Sequence, residues 1–177
     1  MLMYIKILFA AILISLLWAC ESEPGSKEKE KASEKEKPQW VEMEANAGGY
    51  ALNVFVLVSE VSKSEANIEY LEDTGELRVS TGEHFDLSMY EDESQMESTL
   101  NEIKNHPFYE VEVIEQTDST LLYRYFIEDR DNDNWQFYTE RSLGQPLLLV
   151  RSNKDGIFEE FYTRKMLESA LKITPLK

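Results

Sequence analysis

The amino-acid sequence predicts an α+β fold, a mainly antiparallel sheet with a central and a C-terminal helix. Three observations lead there. Apolar and polar residues alternate in many short runs, the period of a half-buried strand. Glycine- and Asp/Asn-containing turns punctuate those runs, as between hairpin partners. The period changes to a helical one in only two places, so strands outnumber helices.

Trp40 opens the folded part, a single domain over residues 40–177. Val41, Met43 and Ala45 alternate with glutamates as an edge strand would, and Gly48-Gly49 ends the run. Residues 50–58 form a dense, branched apolar stretch, short enough for a buried strand. Ile68 and Tyr70 alternate before Glu72-Asp73-Thr74-Gly75, and Leu77 and Val79 after it, which reads as a hairpin. Phe85, Leu87 and Met89 continue the period of two. Ser94-Gln95-Met96-Glu97 then fits a capping box, with Met96, Leu100 and Ile103 on one helical stripe and Pro107 as the stop. Alternation resumes at Tyr109, Val111 and Val113 and continues through residues 121–127 and 135–138. Pro146 suits the entrance of a last strand over residues 147–150. A turn at Asn153-Lys154-Asp155-Gly156 leads to the final helix, whose apolar face carries Phe158, Tyr162, Met166, Ala170 and Ile173 before Pro175 closes it.

An early hairpin, a central helix, a meander containing Tyr123-Arg124-Tyr125-Phe126 and Phe137-Tyr138-Thr139-Glu140, and a last helix with Lys165-Met166-Leu167-Glu168-Ser169-Ala170-Leu171-Lys172 follow one another. That order resembles the PsbP-like domain family. The resemblance implies an α/β/α sandwich, and a binding or assembly factor of the kind found among photosystem extrinsic subunits and bacterial envelope lipoproteins. It carries over no catalytic residue.

The N-terminal region has a different character. Lys6 precedes an apolar core over residues 7–18, the length of a signal-peptide core and too short for a spanning helix of about 20 residues. Leu17-Trp18-Ala19-Cys20 ends it with the chain's only cysteine. This pattern resembles the lipobox of bacterial lipoproteins, with Trp18 where that family has a small or polar residue. The resemblance implies a signal peptide over residues 1–19 and a lipidated, acylated Cys20. Several acyl chains, at roughly 0.8 kcal/mol per buried methylene, would hold the protein on a membrane where one chain alone binds marginally.

Residues 21–39 hold six acidic and five basic side chains and no aromatic or branched aliphatic one. They cannot bury enough apolar surface to offset their ordering entropy and are expected to be a disordered tether, with Cys20 at its head. Its coil span is roughly 25 Å and its limit about 65 Å. By resemblance to lipoprotein sorting, Glu21 after Cys20 favours the outer membrane in a Gram-negative cell, while Glu21-Ser22-Glu23 also resembles a surface-export signal.

Removing residues 1–19 takes one of 18 basic residues (Lys6) and none of 34 acidic ones, so the net charge of −16 becomes −17. So acidic a surface repels nucleic acid and anionic headgroups and leaves the acyl chains and an envelope protein as partners. One cysteine makes no disulfide framework, so a packed core must hold the fold.

Catalytic signals are sparse. There is no G-x-S-x-G, phosphate-binding loop or H-E-x-x-H motif, and His84 and His106 have no triad partner nearby in sequence. Asp92-Glu93 and Glu159-Glu160 fall at helix starts, where the macrodipole favours carboxylates. The one metal candidate is Asp129, Asp131 and Asp133 with Glu140 at the twelfth place, a spacing that suits calcium. Asn134 stands where such loops carry glycine, the flanks read as strands, and a polar hairpin tip explains the same residues without an ion. These features together predict a lipid-anchored cell-envelope binding or assembly module with no cofactor, not an enzyme. The alternatives are an enzyme or enzyme inhibitor whose site is assembled only in the fold, or a calcium-binding envelope protein.

Overall fold

The computed structural model describes residues 39–58, 66–126 and 133–177. The leader, Cys20 and nearly all of the tether, together with Asp129 and Asp131, lie outside the described residues. A compact unit spans Lys37–Lys177.

Its first hairpin joins β1 (Gln39–Ala47) to β2 (Tyr50–Val58) through Gly48 and Gly49, whose φ values of 61° and 91° are those a two-residue hairpin turn requires. Gly48 is fixed by space as well, since a Cβ there would stand 2.1 Å from the Tyr70 ring. Two meanders follow. The first is β3 (Asn67–Leu71), β4 (Glu76–Thr81) and β5 (Phe85–Asp92). The second, after helix α1 (Met96–Lys104), is β6 (Glu110–Gln116), β7 (Thr120–Phe126), β8 (Asn134–Arg141) and β9 (Leu147–Ser152). β9 pairs with β5, which welds the meanders into one antiparallel seven-stranded sheet of order β3-β4-β5-β9-β8-β7-β6. Helix α2 (Glu160–Lys172) and a two-residue strand β10 (Thr174–Pro175) end the chain, β10 pairing with β2. The mainly antiparallel α+β fold with a central and a C-terminal helix is therefore the observed one.

Strand alternation sorts the apolar residues onto two faces of the large sheet. Leu77, Val79, Leu87, Leu122, Phe137, Leu148 and Val150 face a core shared with β2 and α2, and all are at most 3% exposed. Leu121, Tyr123, Tyr138 and Leu149 face the other way and pack with Ile103 of α1. This explains why residues 147–150 are a continuous apolar run, since a strand covered on both faces has no polar side. Among the described residues each face carries one helix.

α2 lies between β2 of the small sheet and β5, β8 and β9 of the large one. Small residues permit that approach, for Ser169 and Ala170 are fully buried and the Ser169 hydroxyl donates to the Phe55 carbonyl. Trp40 of β1 is overlain by Lys172 Nζ at 4.7 Å and Lys165 Nζ at 5.7 Å from its ring centre.

Three local expectations are corrected. The helical face assigned to Phe158 and Ile173 is core, 3% and 0% exposed, yet both residues flank α2 instead of lying in it. Pro175 does not close the helix but pairs with Leu52 in β10. The capping box also fails to form, because Gln95 is the N-cap of α1 and makes no side-chain cap bond.

Candidate functional site

α1 has nine residues and is about 14 Å long, whereas seven strands measure about 29 Å across. One short helix cannot roof the whole face, and the uncovered part is a cleft of about 930 Å³. Its floor is made by Tyr123 and Tyr125 of β7, Gln136 and Tyr138 of β8, Arg151 of β9 and Tyr90 of β5. Register brings them together, because Tyr123 pairs with Gln136 and Tyr138 with Arg151 across neighbouring strands. Glu102 and His106 at the end of α1, Tyr109, and Ile157 from the β9–α2 connection complete the walls.

The aromatic side is continuous. The His106 ring lies 5.0 Å from that of Tyr109 and 5.1 Å from that of Tyr125, and Tyr123 meets Tyr125 edge-on at 5.4 Å. His106 Nδ1 accepts the Phe108 N–H at 3.4 Å. Next to these rings Phe108 is 82% and Ile157 79% exposed, a degree of apolar exposure that a folding core does not explain.

Arg151 is the cation of the floor. Its guanidinium lies over the Tyr90 ring at 5.0 Å, while its Nη2 reaches Glu76 only at 3.5 Å. Its Nε is enclosed and has no hydrogen-bond partner among the described residues. Gln136, by contrast, is fully engaged. Its amide donates to Asn134 Oδ1 and the Gly156 carbonyl, and its oxygen accepts from the Ser152 hydroxyl.

Burial pushes the phenols of Tyr90, Tyr123, Tyr125 and Tyr138 above the ordinary tyrosine range, because the phenolate would lose its hydration. Tyr138 is raised further by the Glu140 carboxylate, to which its hydroxyl donates at 2.9 Å. Below about pH 10 these phenols are protonated in both folded and unfolded chains and cost nothing. Above it the unfolded chain releases protons that the folded one retains, so stability falls as pH rises through the raised folded values. Thermal melts from pH 8 to 11.5 should therefore show a steep fall beginning near pH 10, reduced in Tyr123→Phe. A flat profile would contradict the burial of these hydroxyls.

The residues singled out in the sequence are distributed as follows. His106 belongs to the cleft, and His84 lines one end of it, stacked on Tyr162 at 4.4 Å. Asp133 forms an ion pair with Arg124, which also binds Glu112. Glu140 is committed elsewhere, accepting the Gln95 N–H at 2.8 Å, the Ser94 hydroxyl at 2.8 Å and the Tyr138 hydroxyl. Residues between Asp133 and Glu140 are extended strand, which separates the two by roughly 20 Å at about 3.3 Å per residue. Glu140 therefore cannot close an ion-binding loop with Asp133. Among the described residues no group of three or more His, Cys, Asp or Glu side chains is placed to hold a metal.

Compared with protein-family models, curated proteins and solved structures, the chain finds no match. The cleft residues Arg151, Gln136 and the tyrosines escaped the sequence reading. A signal was present for Arg151, since it continues the alternation of Leu147 and Leu149 and so takes their buried face.

Proposed function

We propose that this chain is a lipid-anchored cell-envelope binding module, held by acylated Cys20 and engaging its partner at the tyrosine-floored cleft. The observation that carries this reading is the content of the cleft. Its phenols stay protonated at neutral pH, and with the guanidinium they offer donors and aromatic faces, which recognise a ligand without exchanging protons with it. The exposed Phe108 and Ile157 beside it suit contact with an envelope protein. A sheet with a helix on each face is also what a PsbP-like α/β/α sandwich would present. Outer-membrane attachment is the favoured location in a Gram-negative cell.

A second reading, an enzyme whose site is assembled only in the fold, draws on the cleft, whose wall carries both Glu102 and His106.

The test joins anchor and cleft. Wild-type protein should incorporate labelled palmitate, partition with membranes and crosslink to an envelope protein. Cys20→Ser should lose label and membrane, whereas Phe108→Asp with Ile157→Asp should keep both and lose the crosslink. A wild type without palmitate overturns the anchor, and a crosslink indifferent to the double variant overturns the binding face.

A further inference from the structure

The geometry points to a specific ligand chemistry for the cleft, and we infer that it binds an organic monocarboxylate with an aromatic or apolar body, its carboxylate on Arg151. This rests on the binding reading above and adds the ligand's class. Three observations carry it. First, Arg151 is held in place by stacking on Tyr90, while its hydrogen-bonding capacity is left almost unused among the described residues. The bond to Glu76 is long at 3.5 Å, although an arginine–carboxylate pair normally closes to about 2.8 Å and is often bidentate. A guanidinium fixed by packing but poorly paired is prepared to meet a planar anion.

Second, phenols adjoin Arg151 in the cleft, and among the described residues the one carboxylate that reaches its guanidinium is Glu76, at 3.5 Å. Tyr123 and Tyr90 are close enough for the arginine charge to favour their ionised forms, against the stronger opposing effect of burial. A carboxylate seated there meets a cation, and the rings around it take an apolar or aromatic body. Third, a net charge of −16, with Glu76 and Glu102 near the cleft, repels multiply charged anions. One negative charge satisfies the arginine, and a polyphosphate would bring several more against an acidic surface.

Glu76 supplies a test that a purely structural arginine would fail. If Arg151 exists only to neutralise Glu76, removing either partner changes stability and nothing binds. If Arg151 receives a carboxylate, Glu76 competes for it, and Glu76→Gln should tighten binding.

The experiment is titration calorimetry of the full chain in non-ionic detergent with phenylacetate and its neutral analogue phenylacetamide, against a detergent-only control. Phenylacetate should bind wild type at least about tenfold tighter than the amide. Arg151→Met should lose that preference, and Glu76→Gln should strengthen phenylacetate several-fold. Equal affinity for acid and amide, a preference surviving in Arg151→Met, or no binding of phenylacetate to either wild type or Glu76→Gln would each overturn the inference. If these fail while the Phe108/Ile157 variant still loses its crosslink, the binding module stands and only the carboxylate falls.

Discussion

Met166→Lys is expected to abolish cooperative folding. Met166 is fully buried between the two sheets, and its Sδ accepts the Asp86 N–H at 3.2 Å. A lysine there would place an ammonium in the main core, at a cost of several kcal/mol against a total stability of about 5–15 kcal/mol for a domain. The nearest carboxylate gives no rescue. Asp86 directs its side chain to the other face of the sheet, where Arg78 and Asn153 hold it. Met166→Leu preserves volume and should cost less than about 1.5 kcal/mol. Urea melts followed by near-ultraviolet circular dichroism decide the matter. A cooperative Met166→Lys transition within about 1 kcal/mol of wild type would show that α2 is not packed as described.

An equivalent burden does not fall on Phe126, although the local alternation places it among the core residues. It is only partly buried, at the end of β7, and the Arg124 guanidinium lies 5.2 Å from its ring centre. Phe126→Asp should therefore be far milder than Met166→Lys. The contrast shows where sequence reading succeeds. Periodicity identifies which residues of a strand share a face, and it placed all the strands from Gln39 to Ser152 near their observed bounds. It cannot tell how far the covering layer extends over that face. Tyr123 and Tyr125 share Leu121's face, yet a helix of nine residues leaves part of that face open, and the open part is the candidate site. No local pattern carries that information, since it depends on the pairing of β5 with β9, strands of different meanders whose partnered residues are about 60 apart in the chain.

Glu140→Ala is expected to be the second most damaging change, and its effect should fall on the roof of the cleft. The same residue looks like the last ligand of a calcium loop when spacing alone is considered. In the fold it is a cap supplied from another strand, joining β8 to the start of α1 across 45 residues of chain. Its two oxygens accept the Gln95 N–H and the hydroxyls of Ser94 and Tyr138, at 2.8–2.9 Å. Gln95 makes no side-chain cap bond of its own, so these contacts stand in for the missing capping box. A charged acceptor near a helix N-terminus also meets the positive end of its dipole. Removing it leaves a backbone donor and the Tyr138 hydroxyl without their acceptor, and the loss should be about 2–3 kcal/mol. For a domain of this size the melting temperature should fall by about 10 °C. Glu140→Gln keeps an acceptor and should lose less than half as much. Hydrogen exchange locates the effect, because the α1 amides should exchange far faster in Glu140→Ala while the β2 and α2 amides lose only the protection due to global stability. If α1 exchanges no faster than the rest of the fold, Glu140 does not hold the helix. If it does, Ile103 and His106 lose their fixed place above the tyrosines, and binding at the cleft should weaken with them.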